Sequence, residues 1–166
     1  MSLAIAALGA VAAALTELTV IPYLTVGGAV PHPVLILGLV WAIAAGVEGG
    51  LTVAFVGGLA LDVLAQRPLG SSAFALLVAI GAAAALAAAS GRFRVLAPIV
   101  VTAICSPVYF LTFVALYSAL RGPVPLADPL AAAIPSAVYD TVLAALVGPL
   151  AVAVVLRRRE AERMDW

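Results

Sequence analysis

The stretch PVLILGLVWAIAAGVEGGLTVAFVGGLALDVLA, residues 33–65, decides the fold. It is apolar almost throughout, so it reads as helix buried in lipid or protein. As one continuous helix it would be about 50 Å long. The hydrocarbon core of a bilayer is only about 30 Å thick, so the run has to break and turn back. Gly46, Gly49 and Gly50 mark the place. Glycine tolerates the backbone angles of a tight turn, and Glu48 would sit at its tip. The expectation is an antiparallel pair of spans over roughly 33–48 and 50–65.

On the C-terminal side the pattern repeats. The pair ends in QRPLGSS, residues 66–72. Pro68 has no backbone donor and stops the helix. Gly70 loosens the turn, and Ser71 or Ser72 is placed to cap the first free N–H groups of the next span. Punctuation of the same kind, IPYLTVGGAVPHP, SGRFR and RGPVPLADP, separates further apolar runs. About six spans result, over roughly 3–20, 33–48, 50–65, 71–90, 95–120 and 129–156, a single polytopic unit over residues 1–166, the alternative being a five-span variant that would break the pairing of the two ends. Pro98 and Pro107 are expected to kink the fifth. The first run has no basic residues before it and reads as a retained span rather than a cleaved leader.

Composition agrees. The chain is 66% hydrophobic and 10% charged over 166 residues, with a mean hydropathy of +1.26. Ordinary soluble domains are about 45–50% apolar and about 25% charged, so the fold class is an all-α integral membrane bundle. The net charge is zero, and no basic patch exists to bind nucleic acid. The lone cysteine, Cys105, has no partner for a disulfide and reads as a small apolar packing residue. Arginines fix the orientation. With both termini cytoplasmic, the inner segments hold Arg92, Arg94, Arg157, Arg158, Arg159 and Arg163, and the outer ones only Arg67 and Arg121.

Three carboxylates fall inside spans: Glu17, Asp62 and Asp140. In this orientation all lie on the outer half, where an ionised group costs less than at the centre. Helical steps from them reach small residues: Ala13, Ala10 and Ala6 from Glu17; Gly58, Ala54 and Gly50 from Asp62; Ala132, Ser136, Ala144 and Gly148 from Asp140. Small residues let helices approach closely, so the acids are expected on packing faces. Gly50, Ala54, Gly57, Gly58 and Gly148 are the expected contact positions. Asp62, Arg67, Glu17 and Asp140 then either line a pocket or partner interface, or serve as satisfied structural groups. For Asp62 the structural role would be pairing with Arg67 or capping the QRPLG turn.

Other residues carry less. His32, between Pro31 and Pro33, reads as a solvated or interfacial loop residue. Trp41, Tyr109, Phe110, Phe113 and Tyr117 read as packing or interface aromatics. No serine has a base beside it in a span, no metal-ligand cluster or phosphate loop is visible, and no filter sequence is present. A non-enzymatic protein without cofactors is expected.

Two stretches carry a resemblance. PHPVLILGLVWAIAAGVEGGLTVAFVGGLALDVLAQRPLGSSAFALLV resembles the core of the MreD family of rod-shape-determining proteins, above all in Asp62 followed by Pro68, Leu69 and Gly70. AAIPSAVYDTVLAALVGPLAVAVVLRRR is similar to the family's last span, although the family usually has Asn at the position of Asp140. The resemblance implies a non-catalytic scaffold of the bacterial cell-elongation machinery in the cytoplasmic membrane. Its implied partners are MreC, the glycan polymerase RodA with its class B penicillin-binding transpeptidase, and MreB. It also implies a fold similar to the substrate-binding S subunits of energy-coupling-factor vitamin transporters. Such a subunit is the alternative reading, with Ala6, Ala10 and Ala14 as its docking stripe.

Overall fold

The computed structural model describes residues 3–25, 28–89, 96–123 and 129–164, with backbone only at 89, 129, 130, 132 and 154–164. Arg92 and Arg94 lie outside the described residues, as do the side chains of Ala132, Arg157, Arg158, Arg159 and Arg163. The described chain is all-helical. Six α-helices follow in order: α1 (Leu3–Thr19), α2 (Pro33–Ala44), α3 (Val47–Leu64), α4 (Ser71–Ala89), α5 (Ala97–Arg121) and α6 (Pro129–Met164). A 3-10 turn, Ile21–Tyr23, closes the end of α1.

Five of the helices contain stretches long and apolar enough to cross a membrane; α2 is a shorter apolar helix of 12 residues. At about 1.5 Å per residue it extends about 18 Å, well short of a hydrocarbon core. Its place in the bundle explains its length. Apolar on every side, it has no face suited to water, and it packs against all five other helices. Val34, Leu35 and Leu39 are fully buried. The long helices stand around it in the order α1, α3, α4, α5, α6. The ring stays open between α1 and α6, where α2 forms the floor of an apolar groove.

The break between α2 and α3 falls earlier than the glycines suggested. Only Gly46 turns the chain, with φ +129°. Glu48 is not at a turn tip but in the first turn of α3. There an acid complements the positive end of the helix. Gly49 and Gly50 are helical and serve close packing. A Cβ on Gly49 would run into the Trp41 indole, and one on Gly50 would stand 2.9 Å from the Cα of Ala42. Pro98 sits at the start of α5, where proline is tolerated, so only Pro107 lies inside that helix.

The other small-residue positions lie at helix contacts. A Cβ on Gly57 would meet Val34 at 2.6 Å, one on Gly148 would meet Pro98 at 2.6 Å, and one on Gly58 would stand 2.6 Å from the backbone nitrogen of Ala73. Ala54 is fully buried. On α1 the inward stripe is Ala6, Ala10, Ala14 and Glu17, and Ala13 turns partly outward.

Candidate functional site

Helices α2, α4 and α6 begin at one end of the bundle, the cap end, where α1, α3 and α5 finish. Each starting helix leaves its first N–H groups without helical partners. The carboxylates singled out in the sequence are found against two of these starts.

Asp62 occupies the last turn of α3 and is fully buried. Its Oδ2 accepts the Gly70 N–H at 2.8 Å, and its Oδ1 accepts the Ser72 N–H at 3.0 Å and the Ser71 hydroxyl at 3.1 Å. Asp62 is therefore the cap of α4, supplied across the hairpin. The serines do not fill that role with their own side chains: the single proton of the Ser71 hydroxyl is shared between Asp62 and the nearer Pro68 carbonyl at 2.8 Å. Gly70, with φ +92°, lets its N–H turn toward the acid. Arg67 makes no ion pair with Asp62. Its guanidinium donates to the Ser72 hydroxyl at 3.2 Å and lies 4.9 Å from the centre of the Phe113 ring, within cation–π range.

Glu17 and Asp140 converge on the start of α2. The Val34 N–H donates to Glu17 Oε2 at 3.2 Å, and the His32 N–H donates to Asp140 Oδ1 at 2.7 Å. The second Asp140 oxygen receives the His32 ring through Nδ1 at 2.9 Å and the Ser106 hydroxyl from α5. One turn earlier on α6, Ser136 accepts the Val30 N–H at 3.1 Å, and the Tyr139 hydroxyl donates to the Leu24 carbonyl at 3.2 Å. Ser136, Tyr139 and Asp140 stand at helical spacings that share a face. Together they hold Leu24, Val30 and His32 along α6.

The expected place of His32 is corrected here. Its side chain is 13% exposed and its Nδ1 lies 2.9 Å from Asp140 Oδ2, a contact that is an ion pair when the imidazole is protonated. Tyr109 of α5 meets the imidazole edge-on, with ring centres 5.2 Å apart. Phe113, which the Arg67 guanidinium overlies, and Tyr117 continue the aromatic file along α5. Burial disfavours the charged imidazole, but the hydrogen bond and charge of Asp140, helped by Glu17 and opposed by Arg67, hold His32 above its ordinary value.

Ser106, Asp140 and His32 bring together three side chains that sequence order keeps far apart. Their order in space is not that of an activated nucleophile. The carboxylate stands between the other two, so Ser106 donates to Asp140 and not to the imidazole. The arrangement fixes three elements, α2, α5 and α6, around one anion. Among the described residues no group of three or more His, Cys, Asp or Glu side chains is placed to hold a metal. One turn before Ser106, the Thr102 hydroxyl is buried with no hydrogen-bond partner.

The groove between α1 and α6 is separate in character. It encloses about 690 Å³ and is lined by apolar residues such as Ala13, Ile36, Val40, Leu143 and Leu150. Compared with family models, curated proteins and solved structures, the chain matches none.

Proposed function

We propose that the chain is a non-catalytic scaffold subunit of the bacterial cell-elongation machinery, an MreD-like protein of the cytoplasmic membrane that binds MreC and supports peptidoglycan synthesis and cell shape. The observation that carries this reading is where the polar groups point. Glu17, Asp62 and Asp140 are bonded to backbone N–H groups of neighbouring elements, which leaves an apolar exterior suited to helix association. The resemblance around Asp62–Gly70 adds the family. In this reading both termini are cytoplasmic, the cap end faces outward, and RodA, its transpeptidase and MreB are further partners.

Two observations weigh against a vitamin-binding S subunit. Ala6, Ala10 and Ala14, its docking stripe, are fully buried inside the bundle. The groove lined by Ile36 and Leu143 offers apolar side chains, whereas a vitamin site needs several placed polar groups. Affinity purification from native membranes tests the proposal. Co-isolation of a single-span MreC-like protein is expected. Recovery with a pair of ATPases and a tightly held vitamin would replace the scaffold with the transporter reading.

A further inference from the structure

We propose that His32 and Asp140 form a single-proton latch: a proton taken up by the imidazole clamps the start of α2 and the preceding loop onto α6, and its loss loosens them. The geometry carries this. Asp140 holds His32 twice, through the backbone N–H at 2.7 Å and the ring Nδ1 at 2.9 Å. Only the ring contact changes with protonation. A neutral imidazole offers at most a hydrogen bond, and a protonated one adds a full charge against the carboxylate.

The surroundings favour the proton. Glu17 from α1 and Asp140 from α6 face the ring as acids, Arg67 from the α3–α4 turn is the cation that acts on it, and Tyr109 from α5 lies against its edge. Asp62 acts on Tyr109 and is not among the groups that act on the ring. The latch bears on more than its own contact. The same α6 face holds Leu24 and Val30 through Tyr139 and Ser136, so loosening residue 32 frees the loop that leads into the central helix.

The chain contains one histidine. A preparation labelled with ¹³C-histidine and carrying no histidine tag therefore gives imidazole signals that need no assignment. Titrated in bicelles, the wild-type midpoint is expected above the ordinary value of about 6.5. Asp140→Asn, which keeps the shape and an acceptor oxygen, is expected to lower it by about one pH unit or more. Ser106→Ala removes a neutral donor and leaves the charge pair, so its midpoint stays raised. Amide exchange over residues 28–36, corrected for intrinsic rates, is expected to quicken as pH rises through the wild-type midpoint. A wild-type midpoint at or below the ordinary value overturns the latch. So does a raised midpoint that Asp140→Asn leaves in place, or exchange that ignores the titration. If Asp140→Asn does not fold, the wild-type titration with its exchange profile decides alone. None of these readouts involves a partner, so they stand or fall apart from the scaffold reading.

Discussion

Replacing Asp62 by alanine tests the idea that a buried acid on one helix caps the next. The substitution removes the acceptor of the Gly70 and Ser72 N–H groups at the start of α4. The Ser71 hydroxyl keeps the Pro68 carbonyl at 2.8 Å, so it is not orphaned. The Ser72 N–H, in a fully buried residue, loses its 3.0 Å partner. An orphaned buried donor costs about 1–3 kcal/mol. The Gly70 N–H is in a half-buried residue that water reaches, and its loss resembles an ordinary cap deletion, about 1 kcal/mol. Relief from burying the carboxylate offsets part of the sum, giving a net loss of about 1–3 kcal/mol. Asp62→Asn should fall between alanine and wild type. It keeps an oxygen for Ser72 but turns a donor toward the Gly70 N–H. Unfolding in mixed micelles of rising SDS fraction, followed by helical circular dichroism, measures the order. Glu48→Ala is the comparator, because Glu48 is exposed in the first turn of α3 and gives up only a dipole interaction of about 0.3–1 kcal/mol. If Asp62→Ala is no more destabilising than Glu48→Ala, the cross-hairpin cap is not a stabilising element and the reasoning fails.

The same assay checks three other outcomes. Gly58→Ala should cost about 1–3 kcal/mol by forcing α3 from the backbone of Ala73, while Gly81→Ala, with open space around it, should be neutral or gain up to about 1 kcal/mol; equal effects would deny the tight crossing. Thr102→Val should gain about 1 kcal/mol, since it removes a buried hydroxyl with no partner; a loss would mean that the hydroxyl is bonded after all. Because His32 is held above its ordinary value, its contribution is fully present below about pH 6.5 and disappears as pH rises through the folded value. Wild-type stability should therefore fall over that window, and His32→Gln should flatten the profile; a parallel decline in both would remove His32 from the effect.

The helix pattern was legible because lipid thickness and chain punctuation constrain it independently. Pro33, Pro68 and the apolar runs place α1, α4 and α5 within a few residues. The α2–α3 junction was not, because glycine has two uses. Gly46 turns the chain, whereas Gly49 and Gly50 bring α3 against Trp41 and Ala42, and a row of glycines does not say which does which. The small-residue steps from Asp62 led to real contact positions, but the acid neither pairs with Arg67 nor caps the start of the turn: it caps α4, the role expected of Ser71 or Ser72. His32 was misread. Flanked by prolines and remote from any span centre, it has the local pattern of an interfacial loop, and its partner lies 108 positions away. The useful signal was on the other side: Asp140 is an acid inside an apolar helix with no cation within helical reach, and the chain's one histidine was the unassigned candidate.

The positions of the acids have a common cause. Glu17 and Asp62 lie in the last turns of α1 and α3, where the negative end of their own helix disfavours a carboxylate. Each becomes favourable through the antiparallel neighbour, whose positive end starts at the same level: α2 for Glu17, α4 for Asp62. Asp140 lies well inside α6 and reaches the start of α2 from the side. Helix starts thus supply most of the positive potential that basic residues would otherwise provide. The arrangement depends on hairpins that bring an ending helix beside a starting one. An acid in the final turn of an apolar run, followed closely by a Pro-Gly turn and another apolar run, is therefore a sequence signature of a cross-hairpin cap, and GGLALDVLAQRPLGSS carries it in full.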